Sequence, residues 1–199
     1  MARCLRGVPR ARAAALAGLT LEVPRQLVLV SGPPAAGKTT LARPLAAELG
    51  FALLAKDRIK EQLHDSLGRD GELDLDWSRR LGAASMELLW ALAADSPAVV
   101  LEANFWPDDP RQLRHVAELA ARPVEVYCHC PPEVYLRRYA GRGTSRHPVH
   151  LDELRAVTEE AFARWNHPLG AGPVIKVDTT RPVNVQELAR EVRALLAPG

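Results

Sequence analysis

From residue 26 onward the chain alternates short apolar runs with stretches whose apolar residues recur every three or four positions. That alternation predicts repeated strand-and-helix units around a parallel sheet. Five runs read as strands: QLVLVS at 26–31, FALLAK at 51–56, AVVLEA at 98–103, VEVYCHC at 124–130 and PVIKVDT at 173–179. The first is almost continuously apolar, the pattern of a strand buried on both faces. Helical periodicity fills the intervals at 38–49, 57–67, 77–95, 110–121, 131–142, 151–166 and 183–197. Gly50 stops the first helix, Pro110 opens the fourth, and Pro131 and Pro132 start the fifth. In a sheet of this kind a ligand belongs at the carboxyl ends of the strands, where the connecting loops gather.

Composition narrows the picture. With 199 residues, 47% hydrophobic and 25% charged, the chain suits one α/β domain over 26–199. Residues 1–25 fall outside the pattern. They are arginine-rich and carry no acid before Glu22, superficially like a transit peptide, and read as an amino-terminal extension. A net charge of +2 with bases spread along the chain gives no basic stripe for a duplex, so nucleic acid is not an expected partner. No apolar run approaches the roughly 20 residues needed to span a bilayer; a soluble, cytoplasmic protein is expected. Cys4, Cys128 and Cys130 lack zinc-site spacing and read as reduced thiols, with His129 on the opposite strand face.

The chemistry concentrates after the first strand. GPPAAGKT, residues 32–39, fits G-x-x-x-x-G-K-[ST] without a mismatch, between a predicted strand and a predicted helix. Gly32 and Gly37 let the loop through Pro33, Pro34, Ala35 and Ala36 turn its backbone N–H groups, which the two prolines lack, inward around phosphate oxygens. Lys38 neutralises the β and γ phosphates, and the helix amino terminus adds its partial positive charge. Thr39 suits Mg²⁺ and Thr40 the α phosphate. This loop predicts ATP with Mg²⁺, while leaving open whether the protein is a kinase, a switch or a mechanical ATPase.

Four further loops bear on that choice. KDRIKE at 56–61 sets Asp57 and Arg58 at the end of the second strand, where a carboxylate can accept the proton of an acceptor hydroxyl; Asp57 also suits a helix N-cap. VVLEANF at 99–105 brings Glu102, a metal-side candidate, and Asn104, a substrate-side one. YLRRYAGRGTSRH supplies Arg138 and Arg142, four apart on one helix face and able to close over a transferring phosphoryl group. Arg142, Gly143 and Thr144 look like a hinge, whereas Arg137 and Arg146 read as surface arginines. VDTTRP at 177–182 offers Arg181 and Pro182 as an adenine platform.

On GPPAAGKTT, DRIKE, RYAGRGT and VDTTRP, the chain over 26–197 resembles the small P-loop kinases grouped with zeta toxins, polynucleotide 5′-kinases and chloramphenicol phosphotransferase. The resemblance implies a P-loop NTPase three-layer sandwich, a five-stranded parallel sheet in the order 2-3-1-4-5, and a helical lid over 133–150. It also implies Asp57 as general base and Arg138 and Arg142 as phosphate ligands. Glu102 stands where the group usually has aspartate.

The acceptor lobe is expected at 58–96. Its Glu61, Asp65, Asp70, Glu72, Asp74 and Asp76, with Trp77 and Trp90, suggest an acidic, aromatic wall for a cationic hydroxyl compound such as an aminoglycoside-like or nucleoside-like antibiotic. His147 and His150 can touch the acceptor from the lid side. The resulting expectation is an ATP-dependent phosphotransferase acting on a small-molecule hydroxyl. Its alternatives are a polynucleotide 5′-hydroxyl kinase, a nucleotide-sugar kinase of zeta-toxin type, and a nucleotide-gated switch.

Overall fold

The apolar runs pair as the five strands of one parallel sheet. The computed structural model describes residues 25–68, 73–107, 109–119, 122–142, 146–152, 162–163 and 165–197. Its strands are β1 (Gln26–Ser31), β2 (Ala52–Ala55), β3 (Ala98–Glu102), β4 (Val124–His129) and β5 (Val174–Asp178). Their order across the sheet is β2-β3-β1-β4-β5, with every neighbouring pair parallel. The helices are α1 (Lys38–Leu49), α2 (Lys56–Leu67), α3 (Leu75–Ala94), α4 (Pro110–Leu119), α5 (Pro132–Ala140) and α6 (Val185–Leu196), with a 3₁₀ turn at Pro148–His150.

Strand β1 is central, and its period of two assigns each face its own core. Val28 and Val30 pack with Leu41 and Leu45 of α1 and Leu188 and Val192 of α6. Leu27 and Leu29 pack on the other face with Leu89 of α3 and Val116 of α4. All four β1 side chains are fully buried, each contributing about 1.5–3 kcal/mol of apolar transfer. Trp90 belongs to the second core, stacked 5.2 Å from His115 and packed against Phe105. It is therefore a packing residue and not the acceptor platform expected from its place in the chain.

Element ends move for local reasons. β2 is shorter than 51–56 because Lys56 already opens α2. The cap position of α2 falls on Ala55, so Asp57 sits in the first helical turn, favourable for a carboxylate without being the cap. α3 starts at Leu75, two residues early, because the Asp74 side chain accepts from the Trp77 N–H at 2.7 Å. Gly50 ends α1 in the left-handed region at φ 74°. Most of the helix expected over 151–166, residues 1–24, and the hinge residues Gly143 and Thr144 lie outside the described residues.

Candidate active site

From Ser31 the chain turns through 32–37 into α1, and the tightness of that turn comes from neighbouring strands. A Cβ on Gly32 (φ 127°) would stand 2.2 Å from the Cys128 carbonyl oxygen of β4. A Cβ on Gly37 (φ 86°) would stand 3.3 Å from the Thr179 Cβ. Ala35 also lies in the left-handed region, at φ 65°, a conformation costing about 1–2 kcal/mol for a residue with a Cβ. Thr179 ties the turn to the sheet: its hydroxyl donates to the Ala36 carbonyl at 2.8 Å and accepts from Arg138 Nη1 at 3.2 Å. Arg138 Nη2 donates to the Thr179 carbonyl at 2.7 Å.

Lys38 is buried and donates to the carbonyls of Gly32 and Pro33 at 3.0 and 2.7 Å. Burial lowers its pKa, opposed first by the Glu102 carboxylate. Glu102, the last residue of β3, is 4% exposed and accepts from the Thr39 hydroxyl at 3.3 Å. Burial raises its pKa, with Lys38 opposing. A hydroxyl and a carboxylate together form a hard-oxygen pair. This pair fits Mg²⁺, which is held by one or two side chains together with phosphate oxygens. No group of three or more His, Cys, Asp or Glu forms a metal cage among the described residues.

Across the cleft, Asp57 accepts from Arg146 Nη2 at 2.5 Å and lies 3.7 Å from Lys56 Nζ. Arg146 Nη1 continues to Asp152 at 2.8 Å, and the Tyr139 hydroxyl donates to Asp152 at 3.1 Å. Burial alone would raise the Asp57 carboxyl. Lys56, Arg146, His150 and Lys38 instead hold it well below the usual carboxylate range. Two further pairs join the same elements: His150 Nε2 with Glu61 at 2.9 Å and His147 Nε2 with Asp65 at 3.0 Å. Asp57, Glu61 and Asp65 recur every fourth residue, so they form one stripe of α2 facing residues 146–150.

These groups border a cleft of about 960 Å³ along the carboxyl edge of the sheet, at the upper end of ligand-site volumes and spacious enough for a nucleotide and a second molecule. Of the residues singled out from sequence, Pro34, Ala35, Gly37, Lys38, Thr39 and Thr40 line it; Gly32, Pro33 and Ala36 are not part of that lining. Asp57, Glu102, Asn104, Arg138, Arg142, Arg181 and Pro182 line it as well. Arg138 is fixed on Thr179, while the Arg142 guanidinium lies 5.3 Å over the Tyr139 ring. The two arginines therefore have separate partners.

Three of the substrate-side candidates stand elsewhere. Arg58 is exposed and borders a separate shallow groove with Leu54 and Leu63. Trp77 turns its indole N–H to His64 at 3.2 Å, and His147 is engaged by Asp65. The expected acidic wall is also corrected. Glu61 and Asp65 face the histidines and Asp74 caps α3, whereas Lys56, Lys60 and Arg79 of α2 and α3 border the cleft. Asp70 and Glu72 lie outside the described residues.

The cleft residues that sequence reasoning missed are Arg146, Asp152, Lys56, Lys60, Arg79, Thr179, Trp106 and Trp165. The signal for Arg146 was present: acids at four-residue spacing in α2 and the cluster RHPVH make complementary stripes. Cys128 and Cys130 are buried free thiols, and burial pushes the Cys128 thiol up to about 12.

The sheet order, the phosphate-type loop and the opposed carboxylate define a P-loop kinase fold. Residues 27–167 match the model of the AAA domain family, and the chain belongs to that family. It is 27% identical over 158 residues to a cytidylate kinase of Ignicoccus hospitalis, covering 72% of this chain and 80% of that one. A solved structure from Chloroflexus aurantiacus, provisionally assigned as a kinase, superposes with a TM-score of 0.72 at 29% identity, covering 88% of this chain and all of that one. The APS kinase of Mycobacterium tuberculosis in complex with AMPPNP and APS shares the fold, with a TM-score of 0.51 at 21% identity over 87% of this chain and 98% of that one. No helix among the described residues is long and apolar enough to cross a membrane.

Proposed function

We propose that the protein is an ATP-dependent phosphotransferase that moves the γ-phosphate to a hydroxyl of a small molecule. The observation that carries this reading is that Asp57 opens into the same cleft as Lys38 and the Thr39–Glu102 pair. Main-chain amides of 32–37 and Lys38 hold the triphosphate, its oxygens taking over the contacts Lys38 makes with Gly32 and Pro33. Thr39 and Glu102 would hold Mg²⁺, which would supply charge neutralisation at the phosphates. Of the residues lining the cleft, Pro182 and Arg181 are assigned to the base, and Arg138 and Arg142 to the phosphates. Asp57 orients the acceptor hydroxyl. The new bond joins that oxygen to the γ phosphorus, the bridging bond leaves with its electrons on ADP, and the hydroxyl proton passes to Asp57.

Lys56 and Arg146 together keep Asp57 ionised, so it serves as hydrogen-bond acceptor before the transition state and proton acceptor late in it. Grouping the chain with zeta toxins, polynucleotide kinases and chloramphenicol phosphotransferase is part of this proposal and rests on the DRIKE and RYAGRGT segments.

Turnover of γ-labelled ATP by wild type and Asp57→Asn tests the assignment. Loss of about 10²–10⁴-fold in the variant, with nucleotide binding retained, supports it; equal turnover removes Asp57 from the role. The cytidylate kinase relative favours a second reading in which a phosphate oxygen is the nucleophile. Such an oxygen carries no proton to remove, so Asp57→Asn then keeps most of its activity.

A further inference from the structure

Of the four large hydrophobic side chains exposed among the described residues, Leu67, Leu88, Leu92 and Trp106, Trp106 alone borders the cleft. An indole placed there offers a rigid apolar face with little rotamer freedom to lose on binding. Trp165 borders the same cleft, and the two rings pack with centroids 4.5 Å apart. Both backbones are fixed. Trp106 donates its N–H to the Gln112 side chain at 3.0 Å and its carbonyl accepts from the Asp109 N–H at 3.1 Å. Trp165 donates its N–H to the Phe162 carbonyl at 2.9 Å, and its carbonyl accepts from the Tyr127 hydroxyl at 3.0 Å. The freedom left belongs to the rings. Trp165 Nε1 is closed to solvent and has no hydrogen-bond partner among the described residues. A buried indole N–H ordinarily finds an acceptor, and one without it costs stability until an acceptor arrives.

The sheet order separates this pair from the nucleotide base. Trp106 follows β3, and Asp57 follows the neighbouring strand β2; Pro182, assigned to the base of ATP, follows β5, beyond β1 and β4. All five strands are parallel, so these loops share one edge of the sheet. Trp106 therefore stands on the Asp57 side of the phosphate loop.

We propose that the acceptor carries a flat ring with a hydrogen-bond acceptor at its edge, heteroaromatic in the manner of a nucleobase, and that Trp106 and Trp165 select it. The ring stacks on Trp106, the Trp106 side chain gives up its contact with Trp165, and Trp165 Nε1 donates to a carbonyl oxygen or nitrogen of the ring. The hydroxyl of the same molecule is thereby turned toward Asp57. This inference rests on the phosphotransfer reading above, and it moves the aromatic platform, expected from sequence on Trp77 and Trp90, to the loop after β3. Stacking contributes to the ground state and the transition state alike, so its loss belongs in KM for the acceptor.

The test has two arms. In the first, protein saturated with AMPPNP and Mg²⁺, so that the base site of ATP is filled, is titrated calorimetrically with matched pairs that differ in the flat ring: cytidine against methyl β-D-ribofuranoside, and phenyl against methyl β-D-glucopyranoside. The ring-bearing member of at least one pair should bind roughly tenfold tighter, with Trp106→Leu erasing the preference and Trp106→Phe, which keeps a ring, retaining most of it. Trp165→Phe removes only the N–H and should cost cytidine roughly threefold to tenfold while leaving the phenyl glucoside unchanged. In the second arm γ-labelled ATP is offered with the same compounds. Trp106→Leu should raise KM for the ring-bearing acceptor roughly tenfold with a smaller change in kcat, and change KM for ATP less than twofold. No ring preference in either pair, a preference indifferent to Trp106→Leu, or a loss that falls on KM for ATP overturns the proposal. Trp106-dependent binding of a ring compound with no γ-transfer to it or to any other compound would instead overturn the phosphotransfer reading and leave the aromatic site standing.

Discussion

At the end of the cleft formed by residues 32–40, the loop and the groups beside it are held by backbone: Gly32 against the Cys128 carbonyl, Lys38 on two loop carbonyls, and Thr179 on the Ala36 carbonyl. At the end formed by α2, α3 and 146–152 the contacts are between side chains: ion pairs of Arg146 with Asp57 and Asp152, and hydrogen bonds of His150 with Glu61 and of His147 with Asp65. The first arrangement is rigid because covalent geometry and sheet register maintain it. The second has charged partners on separate elements and depends on salt, pH and ligand. One end suits a ligand common to many reactions, and the other suits a molecule that must enter and leave.

The largest break in this comparison comes from Lys38→Met. Removing the buried ammonium should cost on the order of 10³-fold in kcat/KM, equally for every acceptor. Thermal melting should stay level or improve, since a desolvated cation has been replaced by an apolar chain of similar length. Steady-state kinetics with two unrelated acceptors checks it; a loss confined to one acceptor would tie Lys38 to the acceptor end instead.

Gly32→Ala attacks the same end through packing. The added Cβ meets the backbone of β4 at 2.2 Å, so the loop or the strand must shift, costing about 1–3 kcal/mol by denaturant unfolding and weakening nucleotide binding with it. Gly50→Ala is the control. That Cβ meets nothing within 4 Å, leaving only the left-handed backbone, about 1–2 kcal/mol, with nucleotide binding unaffected.

These predictions indicate which parts of the site could be read without coordinates. The strands, their helices and the loop were legible because burial writes a period into sequence, and a phosphate cradle needs specific residues at fixed spacing. Gly32, Lys38, Thr39 and Asp57 all came from that local grammar. Arg146, Lys60 and Arg79 did not. Their roles depend on which way α2 and α3 present their faces, and on a pairing across 89 residues between Asp57 and Arg146. Charge counted along 58–96 predicted an acidic wall; the helical repeat divides that charge, sending Glu61 and Asp65 to the histidines and Lys56 and Lys60 toward the cleft.

Arg146→Met breaks the other end more gently. With its nearest partner gone, Asp57 should titrate closer to the ordinary carboxylate range, followed by ¹³C NMR of the carboxyl carbon. A carboxyl whose folded pKa lies below its unfolded value stabilises the fold above about pH 4, and that contribution fades as pH falls toward the folded value. Arg146→Met should therefore flatten the acid limb of the stability curve between about pH 4 and pH 2. Because 39% of the Asp57 side chain is exposed, solvent screening keeps the effect on stability small, and the larger change should fall on acceptor turnover, roughly tenfold. An unchanged Asp57 titration would show that Lys56 alone maintains the ionised form.

The smallest expected effect belongs to His150, which is 5% exposed within the 146–152 segment. Burial lowers its pKa below 6.5; Asp57 and the Glu61 hydrogen bond oppose this, and Arg146 and Lys60 reinforce it. The folded protein thus favours the neutral ring, and near pH 6 the unfolded chain binds more protons than the native one. Stability is accordingly complete above the unfolded pKa and declines as pH falls through the folded one. Replacement by Gln keeps a hydrogen-bonding group for Glu61 and removes the titration, so the slope of stability with pH should diminish below about pH 6.5. Proton NMR of the ring gives the sign directly: a midpoint above 6.5 would mean that Glu61 and Asp57 outweigh burial, making this contact an ion pair that strengthens in acid.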